Sequence, residues 1–314
     1  MDTYLVTNFS LQRDKEFVVK SAIKRYFRLV FPVFISIILI FLMMKFSLFY
    51  NKEAAALTLS EWWLGGFWNF EPTFIQAIKN ALLDVFFSHD SSYNTVLWTM
   101  SYELYGSFLI FSFIALFGNI KRRYLFYIIL IFLFHDTIYL GFILGIMLAD
   151  LKYSIHLFNK KFFENYFLKL IFILFGFYMG SYPIGAPVDN SIYSYIKTDD
   201  YNTIVFYHMI GAFLIVLSIL ISNKLQSFFS HKILYSLGKI SFSLYLIHVV
   251  VIGSFTSWSF VNLIQYFSYS VSVIISGIFS IPLLVVLSIL LYKYADKVGI
   301  KLSNKVYLII TKSI

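Results

Sequence analysis

Eight apolar runs, each ended by charged or turn residues, divide this chain of 314 residues: 26–45, 95–117, 123–135, 137–151, 166–183, 203–222, 239–256 and 268–292. A hydrocarbon core of roughly 30 Å takes about 20 helical residues to cross. A span in lipid has to satisfy its own backbone hydrogen bonds, so the runs are expected to be helices. The expected fold class is therefore all-α, a polytopic transmembrane helix bundle of about eight spans. The runs at 123–135 and 137–151 are short. They are tilted, partly buried, or one hairpin that does not cross. The stretch Gln76–Ser88 is weakly amphipathic and is expected at the outer interface, because Lys79 and Asp84 interrupt it.

Composition agrees with this reading. Hydrophobic residues make up 60% and charged residues 13%, where a soluble protein has about 45–50% and about 25%. That excludes a soluble enzyme, a nucleic-acid-binding protein and a disordered regulator. There is no cysteine, which excludes disulfides, thiolate metal sites and a cysteine nucleophile.

The formal net charge of +9 is explained by topology. With the N-terminus in the cytoplasm and the runs alternating, all but four of the 25 Lys and Arg fall inside; Lys45, Lys52, Lys79 and Lys197 fall outside. Basic residues favour the cytoplasmic face. Both termini are therefore expected in the cytoplasm, with an even number of crossings in the inner (cytoplasmic) membrane. Residues 1–25 read as a polar cytoplasmic leader without a cleavable signal. They place the Asn8-Phe9-Ser10 triplet away from glycosylation. The whole of 1–314 reads as one transmembrane domain.

Ionisable groups inside a span are costly and face a bundle interior or a wet cavity. Glu103, in Trp98-Thr99-Met100-Ser101-Tyr102-Glu103, is either a site carboxylate or an interhelical lock. In Leu237–His248, the residues Ser241, Tyr245 and His248 sit at i, i+4 and i+7 and form one polar stripe. A neutral imidazole there is a base, an acid or a hydrogen-bond bridge. Arg25 and Arg28 share a helix face at the mouth of the first span. They suit a phosphate-bearing ligand or serve as positive-inside anchors. His208 lies within a span. His89-Asp90 and His135-Asp136 fall in outer turns, and His156 and His231 in inner loops. No His/Asp/Glu spacing resembles a zinc site, so no metal is expected. Phosphate-binding glycine loops and nucleophile elbows are also absent from the sequence.

These segments together resemble the integral-membrane acyltransferase family three. The matching features are Arg25, Arg28, Leu29 and Pro32; Trp98, Thr99, Met100 and Glu103; Gly145 through Ala149; and Leu237-Gly238-Lys239-Ile240-Ser241-Phe242-Ser243-Leu244-Tyr245-Leu246-Ile247-His248. The resemblance covers essentially the whole chain. It implies acyl transfer, most often of acetyl from acetyl-CoA, to a hydroxyl of a surface or lipid-linked carbohydrate. By this resemblance Arg25 and Arg28 hold the phosphates of the acyl-CoA co-substrate. Glu103 and His248 are the catalytic candidates, and Trp98, Ser241 and Tyr245 line the site. It implies no tightly bound cofactor. The partners are acyl-CoA, a carbohydrate acceptor and the lipid bilayer.

The family opens with two further spans, the first carrying a histidine taken as the catalytic base. Only Val6–Leu11 resembles the end of the second. Three expectations follow: a longer native enzyme, a non-catalytic remnant, or transfer of the base role to His248 or His208. A glycan transport or assembly protein is the rival class, to which the outer Trp62, Trp63 and Trp68 and the loop near 182–202 are equally suited.

Overall fold

The computed structural model describes residues 15–120, 122–153 and 165–312. The Val6–Leu11 match, the Asn8 triplet, Lys121 and His156 lie outside them. Among the described residues there are helices and turns and no strand. The elements are α1 (Lys15–Lys45), α2 (Asn51–Thr58), α3 (Phe74–Lys79), α4 (Trp98–Phe117), α5 (Tyr124–Phe134), α6 (Tyr139–Tyr153) and α7 (Tyr166–Gly180). They continue with α8 (Tyr201–Leu220), α9 (Asn223–Phe229), α10 (Lys232–Val251), α11 (Ser257–Leu263), α12 (Tyr269–Leu291) and α13 (Lys297–Lys312). Wide π turns at Asn80–Asp84, Ile252–Thr256 and Tyr292–Asp296 continue α3, α10 and α12.

Each of the eight expected runs is helical. Five helices are long and apolar enough to cross a membrane: Glu16–Lys45, Thr95–Phe117, Tyr201–Leu220, Lys232–Leu263 and Tyr269–Thr311. The protein is thus an all-α, multi-pass membrane protein. The other three runs are shorter: α5 has 11 residues and α6 and α7 have 15 each. At 1.5 Å per residue they reach only about 16 to 23 Å. Three helices outrun their expected bounds: α1 begins inside the polar leader, α10 with its continuation covers Lys232–Leu263 where 239–256 was expected, and the last span runs on through α13.

The described chain forms two compact units. One takes Tyr105–Leu234 with the residues up to Ala22. Its main core joins Val18, Ile110, Phe113, Tyr127, Ile143 and Ile146. Phe113 stacks on Tyr127 with ring centroids 4.8 Å apart, and Phe117 on Phe126 at 4.1 Å. At the cytoplasmic end as assigned by charge, Arg123 grips both oxygens of Asp150, and Tyr127 donates to the same carboxylate at 2.6 Å. α7 and α8 approach backbone to backbone through Gly176, Gly180 and Gly211. Small residues are what allow close van der Waals contact where lipid offers no hydrophobic drive.

α8 begins at an Asp200 cap. Its carboxylate accepts from the Thr203 amide at 2.9 Å and from the Thr203 hydroxyl at 2.6 Å. Both bonds favour the ionised form and lower its pKa below the usual carboxylate value. The contribution of this cap is therefore full above the ordinary carboxylate pKa. It is lost as pH falls through the lowered folded value. Asp200→Ala is expected to lower stability at neutral pH. The gap from the parent should close on acidification, as read by thermal unfolding across a pH series.

The second unit takes Ile23–Leu104 and Tyr235–Ile314. Its core is made where α1 (Val33, Ile37, Ile40), the α3 segment, α4 (Leu104) and α10 (Leu246) meet. The stretch expected at an interface contributes Ala77, Ala81, Val85 and Phe86, all fully buried. Three of these lie at i, i+4 and i+8 and make one inward stripe. Lys79 and Asp84, whose charges suggested interface placement, pair with each other at 3.3 Å. The other side of this segment exposes Ile75, Leu83 and Phe87.

The helix from Tyr269 to Thr311 has 43 residues, about 65 Å of rise. That is twice a hydrocarbon core, so its end extends beyond one. There α13 turns Ser303 and Tyr307 inward and Lys297, Lys301 and Lys305 outward. Lys24 of α1 donates to Asn304 and lies over the Tyr307 ring. The Lys24 turn of α1 and the basic α13 are therefore in contact.

Candidate functional site

Arg25, Arg28, Trp98, Glu103, Ser241, Tyr245 and His248 all belong to the second unit. α1 carries Arg25 and Arg28 one turn apart. Arg25 is buried, and its guanidinium donates to the Glu103 carboxylate and at 3.5 Å to the Glu103 carbonyl. Glu103 is therefore part of an α1–α4 ion pair. Its own side chain is 44% exposed, so one edge of the carboxylate faces Arg25 while the group keeps an open side. Arg28 is half-buried and lies within electrostatic reach of Asp296 in the π turn after α12. The two arginines thus differ: one is taken up by Glu103, the other faces a second carboxylate.

α10 supplies the remaining candidates. Tyr245 reaches across to the start of α4. Its hydroxyl donates to the Val96 carbonyl and shares a 2.8 Å hydrogen bond with Thr99. Asn94 donates to the Leu246 carbonyl at 2.9 Å and strengthens the same seam. Glu103 lies within electrostatic range of Tyr245. Thr99 and Glu103 are four apart and share a face of α4. His248 is half-buried, with its ring 5.9 Å from that of Tyr245. Its Nδ1 lies 2.8 Å from the Tyr245 carbonyl. A carbonyl only accepts, so Nδ1 carries the proton and the neutral ring keeps its lone pair on Nε2.

The structure thus links Arg25 to Glu103 by an ion pair, sets Tyr245 within electrostatic range of Glu103, and sets His248 beside Tyr245. Two expected members stand apart from these residues. Ser241 is exposed and donates back to the Gly238 carbonyl at 2.9 Å. Trp98 is 49% exposed and meets Tyr102 edge-on at 5.9 Å. His208, the other candidate base, lies in the first unit. Its Nε2 donates to the Tyr182 carbonyl at 2.8 Å, joining α8 to the loop after α7. Among the described residues no three His, Asp or Glu side chains converge as a metal-binding group.

Two constellations escaped the sequence reading. One is the Arg123–Tyr127–Asp150 network. Its signal was present, since Asp150 ends one run and Arg123 begins the neighbouring one. The other is His89, whose Nδ1 lies 2.6 Å from the hydroxyl of Ser101, a fully buried residue on α4. No spacing rule links residues 12 apart across a turn. Only the fold of the loop joins them.

The helices, their apolar lengths and a polar seam between α1, α4 and α10 define an integral-membrane helix bundle. The chain belongs to acyltransferase family 3: the model of that acyltransferase domain matches residues 4–293. This membership supports a membrane acyltransferase. No curated protein and no solved structure matches the chain.

Proposed function

We propose that the protein is a membrane O-acyltransferase that moves acetyl from acetyl-CoA to a hydroxyl of a cell-surface or lipid-linked carbohydrate. The observation that carries this reading is the Arg25–Glu103–Tyr245–His248 set in a chain matched by the acyltransferase family over 4–293. Arg28, with Arg25 beside it, receives the phosphates of the donor from the cytoplasmic side. His248 Nε2 takes the proton of the acceptor hydroxyl while that oxygen attacks the thioester carbonyl. The C–S bond breaks, and the departing thiolate receives the proton from the imidazolium. Glu103 holds Arg25 and steadies the charge that moves past it. The absence of cysteine excludes a thioester-linked enzyme intermediate.

The test uses membranes holding the full chain, radiolabelled acetyl-CoA and the glycan fraction of the same cells. Alkali-labile label in the glycan is the readout. Arg28→Ala is expected to raise the KM for acetyl-CoA by about 10- to 100-fold, the worth of one charge-assisted contact. His248→Ala is expected to lower kcat by about 10²- to 10⁴-fold. Label that never enters an ester, or a glycan phenotype indifferent to acetyl-CoA, sinks this reading in favour of a transport or assembly role.

A further inference from the structure

The outer loops of the second unit, those that the basic-residue asymmetry assigns away from the cytoplasm, line an open cleft of about 510 Å³. That volume lies within the usual range of small-ligand sites. Its walls combine aromatic rings with polar groups. Trp62, Trp63 and Trp68 supply ring faces, and Asn69, His89 and Asp90 supply hydrogen-bonding groups.

Trp68 is a rigid part of the wall. It is buried, its indole N–H donates to the Tyr93 carbonyl at 2.8 Å, and its ring stacks on Phe49 with centroids 3.7 Å apart. Trp62 and Trp63 form an open rim, 85% and 39% exposed. Asp90 accepts from the Ser92 amide at 2.9 Å through one oxygen. His89 is held by the buried Ser101 hydroxyl and lies against the Tyr102 ring at 5.2 Å. Four non-glycine residues among the described ones have positive φ, and two of them, Trp68 at 56° and His89 at 55°, line this cleft. A bulky residue in the left-handed region is costly, and such conformations persist where surrounding contacts enforce them, often at functional sites.

We infer that this cleft binds a pyranose ring of a carbohydrate. One face of a pyranose is a set of C–H bonds, apolar and slightly positive, which packs on the negative face of an indole. Its rim is a set of hydroxyls, each both donor and acceptor. Trp62 and Trp63 take the C–H face. Asp90 accepts from the hydroxyls, Asn69 both donates and accepts, and His89, aimed by Ser101, completes the ring of partners. An indole that only anchors the protein in the interface needs no carboxylate, amide and imidazole gathered in front of it. The identity of this sugar as the acyl acceptor rests on the proposed transferase activity; sugar binding itself does not.

The test is saturation-transfer NMR on the full chain in lipid nanodiscs without acyl-CoA. The probes are glucose, galactose, N-acetylglucosamine and rhamnose at up to 50 mM. Transfer from protein to at least one sugar is expected. Trp62→Ala with Asp90→Asn should weaken it by at least about tenfold. Ser101→Ala should weaken it less, through a loosened His89. Trp258→Ala, an exposed tryptophan of α11 outside the cleft, should leave it unchanged. No transfer to any of the four sugars, or transfer insensitive to the double variant, overturns the inference. Strong quenching of Trp62 by brominated lipid overturns it too, in favour of an interface anchor. Sugar binding without acetyl transfer would sink the transferase reading and leave this site standing. Acetyl transfer that ignores the double variant would do the reverse.

Discussion

Replacing Asp150 by alanine is expected to cost the protein about 3–5 kcal/mol and to be among the most damaging single changes in the chain. Asp150 is 2% exposed. Arg123 donates to both of its oxygens, Tyr127 adds a third bond at 2.6 Å, and the same guanidinium also donates to the Gly118 carbonyl. Removing the carboxylate leaves a largely buried guanidinium with neutral acceptors only. A bidentate charged pair is lost and its desolvation cost stays behind. Asp150→Asn should fall between parent and alanine, because the amide keeps one acceptor but turns two donors toward Arg123. Arg123→Met with Asp150→Leu should recover much of the loss, since both charges then leave together. Thermal unfolding in detergent, followed by size exclusion of the heated sample, measures all four. An Asp150→Ala protein that melts with the parent would refute the assigned role.

The second large effect is at Gly211. A Cβ placed there would lie 2.4 Å from the Gly180 nitrogen and 2.6 Å from its Cα. These are backbone atoms of α7, so no flexible side chain can swing aside. Gly211→Leu must push α7 and α8 apart, and the contacts of Gly176 with Ile215 go with it. Overpacking of this kind costs about 1–3 kcal/mol and sometimes more. In lipid the separated helices gain little from burying the freed surface elsewhere. Gly238→Ala is the control, because nothing lies within 4 Å of a Cβ at that helical position. It should be neutral or stabilising by about 0.5–1 kcal/mol through higher helix propensity. Equal melting of Gly211→Leu and the parent would show that α7 and α8 do not need this approach.

Much of the bundle was legible because apolar runs in lipid have one common outcome. A run such as 203–222 has to satisfy its own backbone, and α8 does so over Tyr201–Leu220. Element lengths were harder to read. α13 has charged residues every few positions, which look like a tail in a hydropathy profile. It is a helix because Ser303 and Tyr307 find a surface on which to pack. In the stretch around Ala77, Lys79 and Asp84 pair with each other at 3.3 Å. Pairing of that kind is invisible to a composition profile.

The site was legible in its members and not in their connections. Glu103 stood out as a charge inside an apolar run, and Arg25 as one of a basic pair. That the two bind each other follows from α1 meeting α4, 78 residues away in sequence. The i, i+4, i+7 stripe placed Ser241, Tyr245 and His248 on one side of α10. Helical geometry alone could not say that Tyr245 would reach α4 while Ser241 turned back to its own backbone.

By itself, then, the sequence determined the solvent, the helical class and the family, since these follow from local hydropathy and from residue order along the chain. The tertiary structure decided which polar groups meet. Arg25 with Glu103, Arg123 with Asp150, His89 with Ser101 and Gly211 with Gly180 are all pairings between separate helices or across a loop. Their energies depend on distances that the chain acquires only when its apolar faces have packed.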